Sequence, residues 1–159
     1  MQNSKEIEFM KAAIELAIES VGSGRGGPFG AVVVKNGKII GRGNNRVTST
    51  NDPTAHAEVT AIRDACKNLG HYQLDGCEIY TSCEPCPMCL GAIYWARPAK
   101  IYYACTKEDA SEVGFDDAFI YNEIELPVEE RNLKTVQIMR QEALAAFRDW
   151  QAKEDRLEY

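Results

Sequence analysis

Two short segments carry the residue types that do chemistry. His56 and Glu58 stand two apart, and Pro85-Cys86-Pro87-Met88-Cys89 sets two cysteines three apart. One imidazole and two thiolates are borderline-soft donors that suit zinc. Three protein ligands leave the fourth tetrahedral position open, which is the arrangement of a catalytic zinc rather than a structural one. Zinc lowers the pKa of a bound water to about 7, and Glu58 is the carboxylate placed to carry the proton. Cys86 and Cys89 share one face of a helical turn, at a helix start where the dipole favours thiolate. Glu58 lies about 200° around an ideal helix from His56, so both reach one ion only if it sits beyond the helix tip. The competing reading is a closed four-ligand zinc with Cys83 as the fourth ligand, in a binding module that is not an enzyme. Such a site has no use for a carboxylate that is not a ligand, and Glu58 is such a carboxylate.

The elements that position these residues follow from periodicity and punctuation. Residues 4–21 repeat apolar side chains at helical spacing, and Gly22 stops them. Residues 31–35 and 38–43 flank Asn36-Gly37, a type I′ hairpin signal. A second helix is expected after Asp52-Pro53, with Asp52 capping and Pro53 in the first position, running to Leu69 before Gly70. Residues 77–82 read as a strand, a third helix follows Pro85 and ends near Arg97-Pro98, and residues 100–104 form the next strand. Residues 115–121 read as a loop or short helix, residues 135–139 as a fifth strand, and residues 142–153 as a helix. Helix, hairpin, helix, strand, helix, strand is an α/β layered pattern with a mixed sheet.

The 159 residues suit one domain, 1–159, with 45% hydrophobic and 26% charged residues, the profile of a soluble globular chain. No apolar run is long enough to span a membrane, and the opening Met-Gln-Asn-Ser-Lys-Glu has no apolar stretch of a secretory signal. The expected compartment is therefore the reducing cytoplasm, where clustered cysteines are metal ligands or nucleophiles more often than disulfides. Cys66, Cys77 and Cys105 are scattered and read as small buried thiols. With 18 basic and 24 acidic residues the net charge is −6, which disfavours nucleic acid as a partner. From Asn122 onward there are nine acids and six bases and no basic run.

His-x-Glu followed by Pro-Cys-x-x-Cys is the signature of zinc base deaminases. The chain resembles the cytidine-deaminase-fold zinc deaminases, and most resembles the small bacterial guanine deaminases. The stretches Gly27–Val34, Asn51–Val59 and Tyr80–Ala92 carry the broad likeness, which extends to the tRNA adenosine deaminases. Ile93–Pro98, Gly114–Tyr121 and the terminal Glu158-Tyr159 carry the narrower one. The resemblance implies a three-layer α/β/α fold with a five-stranded mixed sheet. It implies a homodimer whose C-terminal segments, about 140–159, are exchanged so that each closes the partner's site. It implies hydrolysis of guanine to xanthine and ammonia, with zinc-activated hydroxide attacking carbon 2 and Glu58 shuttling protons. Asp117 matches a second carboxylate that recognises guanine; its plainer reading is a solvated turn. Asn45 matches a base-contacting asparagine, or is a turn residue. Phe29 would stack on the purine or pack the core. Trp95 would enclose the site or sit on a helix face in the core, and Tyr159 would close the partner's site or fray. The other enzyme readings are a tRNA adenosine deaminase, or a deaminase of cytosine, of a triazine such as ammeline, or of a nucleoside.

Overall fold

The computed structural model describes residues 4–159. They divide into two compact units that meet in sequence between Asp117 and Ala118.

The first unit is built on one sheet. Strands β1 (Gly30–Lys35) and β2 (Lys38–Asn44) pair antiparallel. Asn36 and Gly37 between them both have positive φ, 51° and 71°, the pair a type I′ turn requires. Strand β3 (Cys77–Cys83) runs antiparallel to β1, and β4 (Lys100–Cys105) parallel to β3, in the order β2-β1-β3-β4. The sheet among the described residues therefore has four strands, not five. Residues 135–139 form no ladder, and Val136 is 78% exposed. Their composition suits a strand, but a strand exists only where a neighbouring edge satisfies its backbone. This segment belongs to the second unit, which contains no strand.

Strand alternation sorts side chains onto two cores. Val32, Val34 and Tyr80 pack with Ala13 of helix α1 (Ser4–Gly22) on one face. Ala31, Val33 and Ile79 pack on the other with Ala57, Ala61 and Ala65 of a long helix, and with Ile93 and Ala96 of a shorter one. The layering is α/β/α. The two helices on the second face are α3 (Ala57–Leu69) and α4 (Pro87–Ala96); a single turn, α2 (Val47–Thr50), precedes them. Helix α3 rides close on β2 because Gly41 and Gly43 present no side chain to it. A Cβ on Gly41 would stand 2.6 Å from the Ala61 carbonyl oxygen, and one on Gly43 would overlap the Ala57 carbonyl oxygen.

Helix α3 starts four residues later than Asp52-Pro53 suggests. Asp52 turns back on its own loop: its Oδ1 accepts from the Thr54 backbone N–H at 2.8 Å and the Thr54 hydroxyl at 2.6 Å. That local turn competes with capping a helix. Cys77 is buried as expected and Cys66 partly so, but Cys105 is exposed, because it ends the edge strand β4. Helix α5 (Lys107–Glu112) opens on a Thr106–Asp109 capping box.

The second unit holds α6 (Ala118–Glu125), a 3-10 turn at Val128–Glu130, and α7 (Arg140–Ala152). Its loop is tied by Arg131 Nε donating to the Leu126 carbonyl and by Asn132 donating twice to Glu123. Leu133, Ile138, Phe147 and Leu157 are all exposed.

Candidate active site

Helices α3 and α4 each begin with a residue of the chemical pair. His56 is the N-cap of α3 and Cys86 the N-cap of α4. Both have extended backbone and neither makes a side-chain cap hydrogen bond, so both side chains project past their helix ends. Cys89 follows in the first turn of α4 and is buried. Pro87 occupies the first helical position, where its missing N–H costs nothing.

The two helix tips meet. Nδ1 of His56 lies 3.5 Å from Sγ of Cys86 and 3.5 Å from Sγ of Cys89. All three donor atoms fall within 4.8 Å of one another. A tetrahedral zinc with Zn–S of about 2.3 Å and Zn–N of about 2.0–2.1 Å separates sulfur from nitrogen by about 3.5 Å. The donor set and its spacing fit that ion. The protonation pattern agrees. Cys86, accepting from Cys89 and paired with His56, is pulled down to about 4. Cys89 is pushed well up because it donates to Cys86 and is buried close to Glu58.

Glu58 sits in the first turn of α3 and is 6% exposed. Its Oε2 accepts from the Cys89 thiol at 3.3 Å, and its Oε1 from the Thr81 hydroxyl at 3.3 Å. Burial pushes its carboxyl above the usual range. A carboxyl that is buried, in contact with a metal ligand and easily protonated is equipped to take and return a proton.

Asn45, Phe29 and Asp117 also lie in the first unit, each in its own setting. Asn45 is buried, and its Oδ1 accepts from the N–H groups of Gly27 and Val47, both at 3.2 Å. Those two bonds occupy the amide oxygen and fix the plane of the amide. The Asn45 backbone N–H donates to the Phe29 carbonyl at 3.0 Å. Phe29 packs against the α3/α4 core and meets Phe115 edge-on, with centroids 4.9 Å apart. Two residues on, the Asp117 carboxyl is raised by burial and then by the charge of Cys86. Trp95 lies off the buried stripe of α4 and is 64% exposed, so it is not part of this chain's core. Tyr159 belongs to the second unit and is 68% exposed there.

Two residues at the site escape the motif reading. Thr81 shares a strand face with Cys83, two positions on, and period two is the signal that marks it. Phe115 lies within the Gly114–Tyr121 stretch with no role of its own there, and its contact with Phe29 supplies one.

A family model described as the cytidine and deoxycytidylate deaminase zinc-binding region matches residues 3–105. A guanine deaminase of Bacillus subtilis (strain 168) is 60% identical over 151 residues, covering 95% of this chain and 97% of that protein. The X-ray structure of guanine deaminase from Bacillus subtilis superposes with a TM-score of 0.94 at 58% identity, covering 99% of each chain. A tRNA-specific adenosine deaminase of Agrobacterium fabrum is 43% identical over 100 residues, covering 63% of this chain and 65% of that protein.

Proposed function

The chain belongs to the cytidine and deoxycytidylate deaminase zinc-binding family, and we propose that it hydrolyses guanine to xanthine and ammonia. The observation that carries this reading is the meeting of His56, Cys86 and Cys89 around a buried Glu58, in a chain that matches a guanine deaminase end to end. The likeness to tRNA-acting relatives is lower and extends over a smaller part of the chain.

His56, Cys86 and Cys89 would hold the zinc. Zinc bound there supplies a Lewis acid that makes water a nucleophile at neutral pH. Glu58 accepts the proton of that water on a carboxyl oxygen, delivers it to a ring nitrogen, and assists departure of ammonia. One water is consumed, the bond from carbon 2 to the amino nitrogen breaks, and a bond from carbon 2 to oxygen replaces it. Asn45, with its oxygen already occupied, offers N–H donors to the base. Asp117 accepts from guanine's N–H groups, a task its half-buried position suits. Phe29, braced by Phe115, stacks on the purine, where such contacts contribute about 1–3 kcal/mol.

The whole chain, 1–159, acts as a single deaminase domain in a homodimer that exchanges segment 140–159, with Tyr159 and Trp95 enclosing the site. The exposed apolar side chains of the second unit support a partner for that surface. Six free cysteines suit a reducing cytoplasm. No helix among the described residues is long and apolar enough to cross a membrane.

Ammonia release by zinc-loaded protein on guanine, guanosine, adenine, cytosine, ammeline and an adenosine-containing anticodon stem-loop tests the assignment. Fast turnover of guanine to xanthine is the expected result. Activity confined to the stem-loop would overturn the substrate and leave the zinc chemistry standing.

A further inference from the structure

We propose that Thr81 is a positioning residue for Glu58, through a hydroxyl that holds the carboxyl in place on both halves of the proton transfer. The inference rests on the deaminase reading above and assigns a part of its machinery that the sequence motifs omit.

Thr81 stands in the middle of β3, on the face toward α3, and is 1% exposed. Its Oγ1 donates to Glu58 Oε1 at 3.3 Å. Among the described residues, two side chains hydrogen-bond to Glu58, and the other is Cys89. These two differ once zinc is bound. A zinc-ligating cysteine is a thiolate and has no proton to donate, so the Cys89 contact to Oε2 loses its donor whenever Glu58 is a carboxylate. Among the described residues the Thr81 hydroxyl is then the side-chain donor that the Glu58 carboxylate keeps.

A hydroxyl is the right kind of partner for a group that gains and loses a proton. It rotates freely, donates to the carboxylate, and accepts from the carboxylic acid. An amide N–H in the same place could donate but could not accept from the acid's O–H. The position is also stiff: a β-branched side chain on a strand has restricted χ1, and burial leaves it no alternative rotamer. Its backbone is fixed in the ladder opposite Ala31 and beside Tyr103. Glu58 is thus steered from the sheet while its own helix carries His56. The sheet register, and not only the two helix tips, sets where the proton carrier stands.

The test is Thr81→Val, which keeps shape and removes the hydroxyl, with Thr81→Ser restoring it. Zinc content, melting temperature, kcat and KM for guanine are measured on all three proteins. Loss of a hydrogen bond to a charged group corresponds to roughly a 10- to 100-fold fall in kcat. The expected result is that fall in Thr81→Val, with KM within about two-fold, zinc unchanged, and Thr81→Ser close to wild type. A packing role would instead spare Val and penalise Ser. Wild-type kcat in Thr81→Val, or a loss that Ser fails to rescue, overturns the inference. If Thr81→Val misfolds, Thr81→Ser carries the test alone: near-wild-type kcat supports the hydroxyl, and a loss of ten-fold or more rejects it. Failure of the wild-type protein itself to release ammonia from guanine would reject the substrate assignment instead, and is read from the same plate.

Discussion

The close seat of α3 on β2 makes a sharp prediction about how the site is held. A Cβ on Gly43 would overlap the Ala57 carbonyl oxygen, the first carbonyl after His56, and would also meet the backbone of Ala61. These are main-chain atoms of a helix and cannot rotate away. A carbon needs about 3.5 Å to a neighbouring heavy atom, so Gly43→Ala must lift the start of α3 by about 1 Å. Overpacking of this kind costs about 1–3 kcal/mol, which for a chain of this size lowers Tm by about 2–12 °C. The effect on rate is larger in proportion. His56 and Glu58 ride on the displaced turn, and a 1 Å misplacement of reacting groups is worth about 10²-fold. Gly41→Ala is the matched control. Its Cβ would meet Ala61 O and Ala65 Cβ, each at 2.6 Å, one helical turn further from the site. Both variants should lose similar Tm, but Gly43→Ala should lose on the order of 10²-fold in guanine turnover per bound zinc and Gly41→Ala less than ten-fold. Thermal denaturation, zinc stoichiometry and steady-state kinetics on the two proteins decide it. Equal losses of kcat would show that α3 moves as one rigid body, and full activity in Gly43→Ala would show that the helix tip does not set the site geometry.

Three further outcomes follow from the same site. Glu58→Gln should keep its zinc, because Glu58 is not one of the three ligands, and lose roughly 10²–10⁴-fold in kcat; metal analysis beside a rate assay checks both halves, and turnover near wild type would remove Glu58 from the mechanism. Asp117→Asn should weaken guanine turnover by ten-fold or more at unchanged zinc content, about the worth of one charge-assisted hydrogen bond; normal kinetics would return Asp117 to a solvated turn. Deleting Leu157–Tyr159 should lower guanine turnover without changing Tm, since these residues are exposed in the second unit; full activity would dismiss the closing tail.

What the sequence makes legible depends on how local the determining physics is. The hairpin is set by two adjacent residues, Asn36 and Gly37, whose shared preference for positive φ admits one turn. The meeting of His56, Cys86 and Cys89 is legible because a metal site restricts residue type and spacing together. The start of α3 is not legible because Asp52 has two local uses, capping a helix and closing an Asx turn on Thr54, and only tertiary packing selects between them. Residues 135–139 look like a strand and form none for a related reason: side-chain composition carries propensity, while a strand is a property of a pair. Cys105 ended up exposed because no strand covers that edge of β4, which composition alone does not reveal.

The same distinction applies to His56 and Cys86, which stand where capping rules would not put them. N-cap positions favour Ser, Thr, Asp or Asn, whose side chains fold back onto the first free N–H groups. His56 and Cys86 occupy these positions and make no such bond. Each helix start therefore forgoes a stabilisation of about 1 kcal/mol. A bound dication would offset that loss, since it orders both tips at once and its binding free energy adds to the folding free energy. Propensity and function disagree at two residues of the first unit, and they are two of the three that point at one another across 3.5 Å. A helix whose cap is chemically wrong yet geometrically extended is thus itself a site signal, readable before any ion is placed.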